Sequence, residues 1–171
     1  MSTLVFELSA TECRGWPWIR ICIDGTVQLE QQLTQEKTSI ELDLNLSAGE
    51  HLLDIERFNK TDQNTLIDEQ GNILQDQAVT LEKIWFENVD LPMEYLWRGE
   101  FCYNTQTHKS VLCWGPNGHW SWPFETPILP WLINIKNNSR RQAFEILIPT
   151  PESIAYLKTQ IDRLQNEFHN I

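Results

Sequence analysis

The fold is decided by residues 51–91, which read HLLDIERFNKTDQNTLIDEQGNILQDQAVTLEKIWFENVDL. Apolar and polar residues alternate at both ends of this stretch, over 53–58 and again over 79–89, and polar turns lie between them. A period of two buries one face of a strand and leaves the other in water, as in the strands of a two-layer β-sandwich. The stretch therefore predicts antiparallel strands that serve binding or assembly.

The residues before this stretch continue the same pattern. Asp24 and Gly25 separate two strand-like runs and predict a tight hairpin, because both turn positions need positive φ. Residues 39–46 alternate without a break. Short strands linked by short turns, with no helical periodicity, are typical of a sandwich or jelly roll. We predict an all-β fold, a jelly-roll-like antiparallel β-sandwich with a C-terminal α-helix.

Residues 94–135 are dense in aromatic side chains and turn formers. Within them, residues 115–118 (Gly-Pro-Asn-Gly) separate two short strand-like runs and predict a tight hairpin whose Asn-Gly pair takes positive φ. Residues 127–132 predict either a short helix or an extended cover strand, and we favour the helix. We assign all of this region to one sandwich domain, residues 1–149.

Residues 150–171 carry a different periodicity. A proline-punctuated linker precedes them, and apolar side chains then recur every three or four residues, as at the a and d positions of a heptad. These side chains are Ile154, Leu157, Ile161, Leu164 and Phe168. Such a helix can pack on its own sandwich or against other chains. The narrow stripe favours oligomerisation or docking.

Composition disfavours several classes of partner. The formal charge is −11, with 24 acidic against 13 basic residues, so neither nucleic acid nor an anionic membrane is expected. No apolar run approaches the roughly 20 residues that cross a bilayer, and the first residues do not resemble a signal peptide. We therefore expect folding in a cytoplasm, where the four cysteines stay free thiols.

Known catalytic motifs are absent from the sequence. It contains no nucleophile elbow, zinc-protease helix, phosphate-binding loop or dinucleotide fingerprint. The Cys and His residues between 102 and 119 lack the short spacings of zinc knuckles. We predict no catalytic residues and a protein that is not an enzyme.

Several spaced elements resemble a module of virion proteins from tailed bacteriophages, notably cyanophages. They are Asn59-Lys60-Thr61, Leu66-Ile67-Asp68, Gly71-Asn72-Ile73 and Asp76, then residues 114–120 and 127–132. The resemblance covers about residues 50–135. It implies a jelly-roll sandwich similar to calcium-dependent carbohydrate-binding modules. It also implies a virion structural or assembly protein (a tail, baseplate, fibre-adaptor or decoration component) that is made in the host cytoplasm and contacts other virion proteins.

The alternative function is calcium-assisted glycan binding for attachment to a host surface. Aromatic rings that could stack on a sugar are Trp97, Trp114, Trp120 and Trp122, although the same rings could equally form the core.

A calcium ion needs several oxygen ligands near one another. The side chains that could supply them are Asp62, Asn64, Asp68 and Asp76. Asp and Asn also cap turns routinely, and these four lack the regular spacing of a calcium-binding loop, so we favour turn capping.

We predict that deleting residues 150–171 reduces the mass of the protein in solution to that of a single chain, because the heptad helix supplies the contact between chains. Light scattering of the full-length and truncated proteins measures this. An unchanged mass contradicts oligomerisation through the helix.

Overall fold

The computed structural model describes the backbone of residues 2–147 and the side chains of residues 2–138. The chain divides into two compact units at Ile128 and Leu129. The predicted helix over 150–171 lies outside the described residues, so its proposed contacts stay a prediction. The residues concerned are Ile154, Leu157, Ile161, Leu164 and Phe168.

The described chain contains thirteen strands and two α-helices. The strands are β1 (Ser2–Thr11), β2 (Trp18–Ile23), β3 (Thr26–Gln32), β4 (Lys37–Leu44), β5 (Gly49–Phe58), β6 (Thr65–Ile67), β7 (Ile73–Asp76), β8 (Ala78–Phe86), β9 (Val89–Asp90), β10 (Glu100–Tyr103), β11 (Gln106–Lys109), β12 (Cys113–Trp114) and β13 (Gly118–Thr126). The helices are α1 (Met93–Leu96) and α2 (Ile128–Leu147).

The strands form two main sheets and a separate hairpin. Sheet A has the order β12-β8-β1-β4, with β9 also paired to β8. Sheet B has the order β11-β10-β13-β5-β2-β3, and among the described strands β6 pairs with β7 alone. Every pairing is antiparallel. The prediction of an all-β antiparallel sandwich is confirmed.

Aromatic side chains join the two sheets across the core. Phe86 of sheet A and Phe124 of sheet B have ring centroids 5.5 Å apart. Trp114 of sheet A stacks on Phe101 of sheet B at 5.6 Å. All four side chains are at most 3% exposed. The sheets therefore pack face to face through the inward half of each alternating strand.

One β-bulge explains an irregularity in the alternation of β8. Leu81 and Ile84 are both buried although they are three residues apart, which breaks the period of two. The register of β8 against β1 shifts at this point, so that Leu8 faces Leu81 and Glu7 faces Lys83. The extra residue, Glu82, is exposed. The bulge returns the later apolar residues to the core.

One of the two predicted hairpins is present and the other is wrong. Asp24 and Gly25 have φ of 51° and 75°, and they join β2 to β3 as expected. Residues 115–118 instead connect β12 in sheet A to β13 in sheet B. Neither Asn117 nor Gly118 has positive φ. The two Trp-containing strands pair with different neighbours, so the connection crosses the sandwich rather than closing a hairpin.

The helix expected near residues 127–132 is longer than the sequence suggested. α2 begins at Ile128, within the range assigned to the sandwich, and continues to Leu147. Pro130 lies in its first turn, where a proline costs no intrahelical hydrogen bond. No further proline occurs before Pro149, so nothing in the sequence stops the helix earlier. No helix in the described part of the chain is both long and apolar enough to span a membrane.

An ion pair ties the β2–β3 turn to β5. The His51 imidazole is buried, and its Nδ1 lies 2.7 Å from the Asp24 carboxylate while its Nε2 lies 2.9 Å from the Ser47 carbonyl. Both nitrogens face acceptors, which favours the protonated ring. The hydrogen bond that His51 donates to the Asp24 carboxylate raises the pKa of His51 and lowers the pKa of Asp24.

We predict that this pair stabilises the fold most at mildly acidic pH. A raised His51 pKa contributes stability that is present below the unfolded value of about 6.5 and is lost as pH rises through the folded pKa. The lowered Asp24 pKa contributes stability that is lost only as pH falls below about 4. Asp24→Asn keeps the turn, so it should lower the melting temperature more at pH 6 than at pH 9. Thermal unfolding at both pH values measures the difference.

Asp90→Asn is the matched control, because Asp90 is exposed on the short strand β9. Its effect should be small at both pH values. An Asp24→Asn effect that is equal at pH 6 and pH 9 would contradict the assigned ion pair.

Candidate functional site

A cleft of about 440 Å³ opens at one end of the sandwich. Three chain segments that are far apart in the sequence form its walls: residues 60–62 after β5, the β6–β7 hairpin, and residues 115–117 between β12 and β13. Tyr103 at the end of β10 completes the lining. Several elements of the virion-protein resemblance, including Lys60, Asp76 and residues 115–117, therefore meet in space.

The Lys60 side chain joins these segments. Its ammonium donates to the Asp76 carboxylate at 2.5 Å, to the Gly115 carbonyl at 3.0 Å and to the Gln77 carbonyl at 3.3 Å. The side chain is only 13% exposed. An ammonium has three N–H donors, so each of them has an acceptor.

The backbone of Lys60 forms a second link to the same wall. Its N–H donates to Oδ1 of Asn117 at 2.9 Å, and its carbonyl accepts from Nδ2 of the same amide at 2.9 Å. This reciprocal pair holds the β12–β13 connection against the end of β5. The amide of Asn117 thus positions the cleft wall.

Asp76, which lines the cleft, is ionised. Burial alone would raise its pKa, but hydrogen bonds from Lys60 and from the Thr65 hydroxyl (2.6 Å) outweigh the burial and lower the pKa. Gly115 lies against this carboxylate, and a Cβ at Gly115 would come within 2.9 Å of Oδ2. Only glycine lets the backbone approach this closely.

A second cation lies beneath the cleft. Arg57 is fully buried, and its Nη2 donates to the side chain and the backbone carbonyl of Gln77 at 2.9 and 3.3 Å. Desolvation lowers the pKa of Arg57 to about 10, and the opposing charge of Asp76 counters this effect. The Gln77 carbonyl therefore accepts from both Lys60 and Arg57.

The remaining lining has one apolar and one polar part. Tyr103 is half-buried and Ile73 is 65% exposed, so both present apolar surface to the cleft. Asp62, which is exposed, belongs to the polar part of the lining. Apolar surface beside a few directed polar groups is the usual composition of a small-molecule site.

Another cleft on the outer face of sheet A is larger, at about 570 Å³. Charged and hydroxyl side chains from β1, β4 and β8 line it, among them Glu7, Lys37 and Lys83. No aromatic ring lines it. The end cleft is the better candidate for a sugar, because an aromatic face is what the apolar side of a sugar ring packs on.

The structure removes three of the four tryptophans from the predicted sugar platform. Trp120 and Trp122 are fully buried and Trp114 is 2% exposed, so none of them offers a free face to a ligand. The inward alternation of β13 places Trp120 and Trp122 in the core, where their rings are 6.5 Å apart. Trp97 is 52% exposed, but it does not line the end cleft.

The four oxygen-bearing residues proposed for calcium do not converge on one point. Asp68 accepts from the backbone of Gln70 and from the backbone and side chain of Asn72, as a turn-capping carboxylate does. Asn64 caps the 3-10 turn that begins at Asp62 and donates to the Cys13 carbonyl.

Only Asp62 and Asp76 of that set reach the cleft. Asp76 is already paired with Lys60, and the described residues contain no group of three His, Cys, Asp or Glu side chains able to hold a metal ion. The residues present therefore do not fit calcium.

The fold is similar to that of a protein of known structure. Neither a protein-family model nor a curated protein matches the sequence. A solved structure of vCBM60 aligns with a TM-score of 0.50 at 12% identity. That structure was described in connection with a circular permutation that links two families of calcium-dependent carbohydrate-binding modules. The alignment covers 71% of this chain and 90% of that chain. The fold is shared with a carbohydrate-binding module.

A structure of vCBM60 in complex with galactobiose aligns with a TM-score of 0.47 at 13% identity. That alignment covers 70% of this chain and 96% of the other chain.

Sequence reasoning did not select Lys60 or Tyr103 as site residues. Tyr103 is one of many aromatic residues between 94 and 126, and no local pattern separates it from the core tryptophans. A partial signal existed for Lys60, because it lies in the Asn59-Lys60-Thr61 element of the resemblance. Its three acceptors come from positions 76, 77 and 115, which only the tertiary fold brings together.

We predict that Trp122→Ala destabilises the protein by about 3–5 kcal/mol, because it leaves a cavity between stacked rings in the core. It also removes the hydrogen bond from Nε1 to the Tyr95 carbonyl (2.9 Å). Denaturant unfolding measures the loss. Trp97→Ala is the control and should cost less than about 1 kcal/mol, since its ring is half exposed. Equal losses for the two variants would contradict the core assignment.

Proposed function

We propose that the sandwich is a non-catalytic carbohydrate-binding module that binds a neutral oligosaccharide in the end cleft. The observation that carries this proposal is the convergence of Tyr103 with hydrogen-bonding side chains from three separate segments at one end of the sandwich. The shared fold with a carbohydrate-binding module supports it.

The size of the cleft suits a short sugar segment. About 440 Å³ lies within the range of about 300–1,000 Å³ that is usual for small-ligand sites. The Tyr103 ring and the exposed Ile73 side chain supply apolar contacts to the C–H face of a sugar ring. The Asp62 carboxylate and the oxygens of Thr61 and Thr65 supply acceptors for sugar hydroxyls, while both threonine protons are donated within the protein.

Electrostatics favour an uncharged sugar. The cleft contains two carboxylates, Asp62 and Asp76, and the three donors of the Lys60 ammonium are already engaged. An acidic sugar would meet these carboxylates and the overall charge of −11. A neutral oligosaccharide avoids that repulsion.

The virion context is a further proposal that rests on the sequence resemblance. A binding module of this kind would attach a phage particle to polysaccharide on the host surface, and the tail over 150–171 would join it to other virion proteins. The structural and the glycan-binding roles are compatible, because different parts of the sequence supply the lining of the cleft and the predicted docking stripe.

The test is a glycan array of neutral oligosaccharides, followed by calorimetric titration of the best ligand with the wild type and variants. We predict that Tyr103→Ala weakens binding at least about tenfold, because a central aromatic contact is worth more than about 1.4 kcal/mol. Tyr103→Phe should bind nearly as well as the wild type, since it keeps the ring. A blank array in buffers with and without calcium would contradict the proposed function.

Trp85→Ala is the matched control. Trp85 is a half-buried aromatic residue on sheet A that contributes nothing to the end cleft, so its loss should leave the affinity unchanged. Trp97→Ala tests the one exposed ring of the sequence-derived platform. Loss of binding in Trp97→Ala with full binding in Tyr103→Ala would move the site away from the cleft.

A further inference from the structure

We propose that the Lys60 ammonium takes the place of a calcium ion in this sandwich, so that the end cleft is assembled without metal, and that removing the Lys60 side chain uncovers a cation-binding site. The proposal concerns the cleft of the proposed function but does not depend on glycan binding, because its test is a measurement of stability.

The atoms around the ammonium are those that a hard cation prefers. Nζ of Lys60 contacts one carboxylate oxygen of Asp76 and the backbone carbonyls of Gln77 and Gly115. Carboxylate and carbonyl oxygens are the usual ligands of calcium in proteins. The Thr65 hydroxyl shares the same Asp76 oxygen and is a fourth oxygen beside this group.

The charge of the group suits an ammonium better than a divalent ion. One carboxylate balances one ammonium, and three acceptors satisfy three N–H donors. Calcium takes six to eight oxygens, commonly from several carboxylates. A calcium ion could therefore compete with Lys60 only weakly, because it would have to displace an ammonium that is already neutralised and only 13% exposed.

The position of the ammonium explains what it does for the fold. Lys60 follows β5 of sheet B, Asp76 and Gln77 precede β8 of sheet A, and Gly115 follows β12 of sheet A. One side chain thus fastens the two sheets together at the end where the cleft opens. A metal ion bound by the same oxygens would join the same segments.

The first measurement needs no variant. Thermal unfolding of the wild type is compared in EDTA and in about 20 mM calcium chloride at matched ionic strength. We predict that the melting temperature changes by less than about 1 °C. Calcium bound to the folded state at a hundred times its Kd would raise the melting temperature by roughly 5–10 °C. A saturable rise of that size in the wild type would overturn the proposal.

The second measurement uses two substitutions of Lys60. Lys60→Ala removes the counter-charge of Asp76 and the donor to the Gly115 carbonyl, and it should lower the melting temperature in EDTA by roughly 5 °C or more. It also leaves room for an ion, so calcium should raise its melting temperature by roughly 3–7 °C if the site has millimolar affinity. Lys60→Met should be destabilised without responding to calcium, because its side chain fills the space.

The controls separate a local site from a general effect of salt. Lys109→Ala removes a lysine whose side chain is 81% exposed and whose nearest carboxylate oxygen, on Glu100, is 3.5 Å away, so neither its stability nor its calcium response should change. Magnesium should stabilise Lys60→Ala less than calcium does, because magnesium demands a tighter octahedral shell.

The other possible results for Lys60→Ala also support or contradict the proposed role of the ammonium. A Lys60→Ala protein as stable as the wild type shows that the ammonium does not hold the cleft, and a destabilised one without a calcium response shows that these oxygens cannot bind the ion. Either result overturns the proposal. If Lys60→Ala folds only when calcium is present, the proposal is supported. If it folds in neither buffer, the calcium response of the wild type decides the question.

Discussion

The structure depends first on the burial of one aromatic strand face between two sheets. β13 directs Trp120, Trp122 and Phe124 inward, and each of them is at most 2% exposed. Trp122 stacks on Phe124 at 5.4 Å, and Phe124 reaches Phe86 of the opposite sheet. Aromatic side chains bury more apolar area than any others, so this strand supplies a large share of the hydrophobic stabilisation. The rings cannot serve this core and a sugar platform at the same time.

Polar contacts hold the two sheets together at the open end of the sandwich, whereas apolar contacts hold them together in its middle. The connections there contain backbone groups that no sheet pairs, and the Lys60 ammonium and the Asn117 amide satisfy several of them. Their loss would leave the Asp76 carboxylate without its counter-charge and the Gly115 carbonyl without the ammonium donor, which costs more than a neutral hydrogen bond contributes. The candidate site is therefore a consequence of how the sandwich closes, and its geometry depends on charge pairing as much as on packing.

The sequence predicted the fold more fully than it predicted the candidate site. Alternation in β4, β5 and β8 predicted the sandwich correctly, because a period of two is a local property of the chain. The tryptophans of β13 follow the same rule, yet alternation states only that two rings share a face and leaves open which face is buried. The residues proposed as calcium ligands were ambiguous for a similar reason. Asp68 makes its contacts within its own turn, whereas Asn64 also reaches the Cys13 carbonyl and Asp76 pairs with Lys60.

The sequence by itself determined the class of fold, the Asp24-Gly25 hairpin and the acidic character, because each is set by neighbouring residues or by composition. Only the tertiary structure decided that residues 115–118 cross between the sheets, that Trp114, Trp120 and Trp122 belong to the core, and that Lys60 meets Asp76 and Gly115. The physical reason is the range of the interactions. Strand alternation and turn geometry act over a few residues, whereas the partner of a buried charge is chosen by the packing of segments up to 55 positions apart.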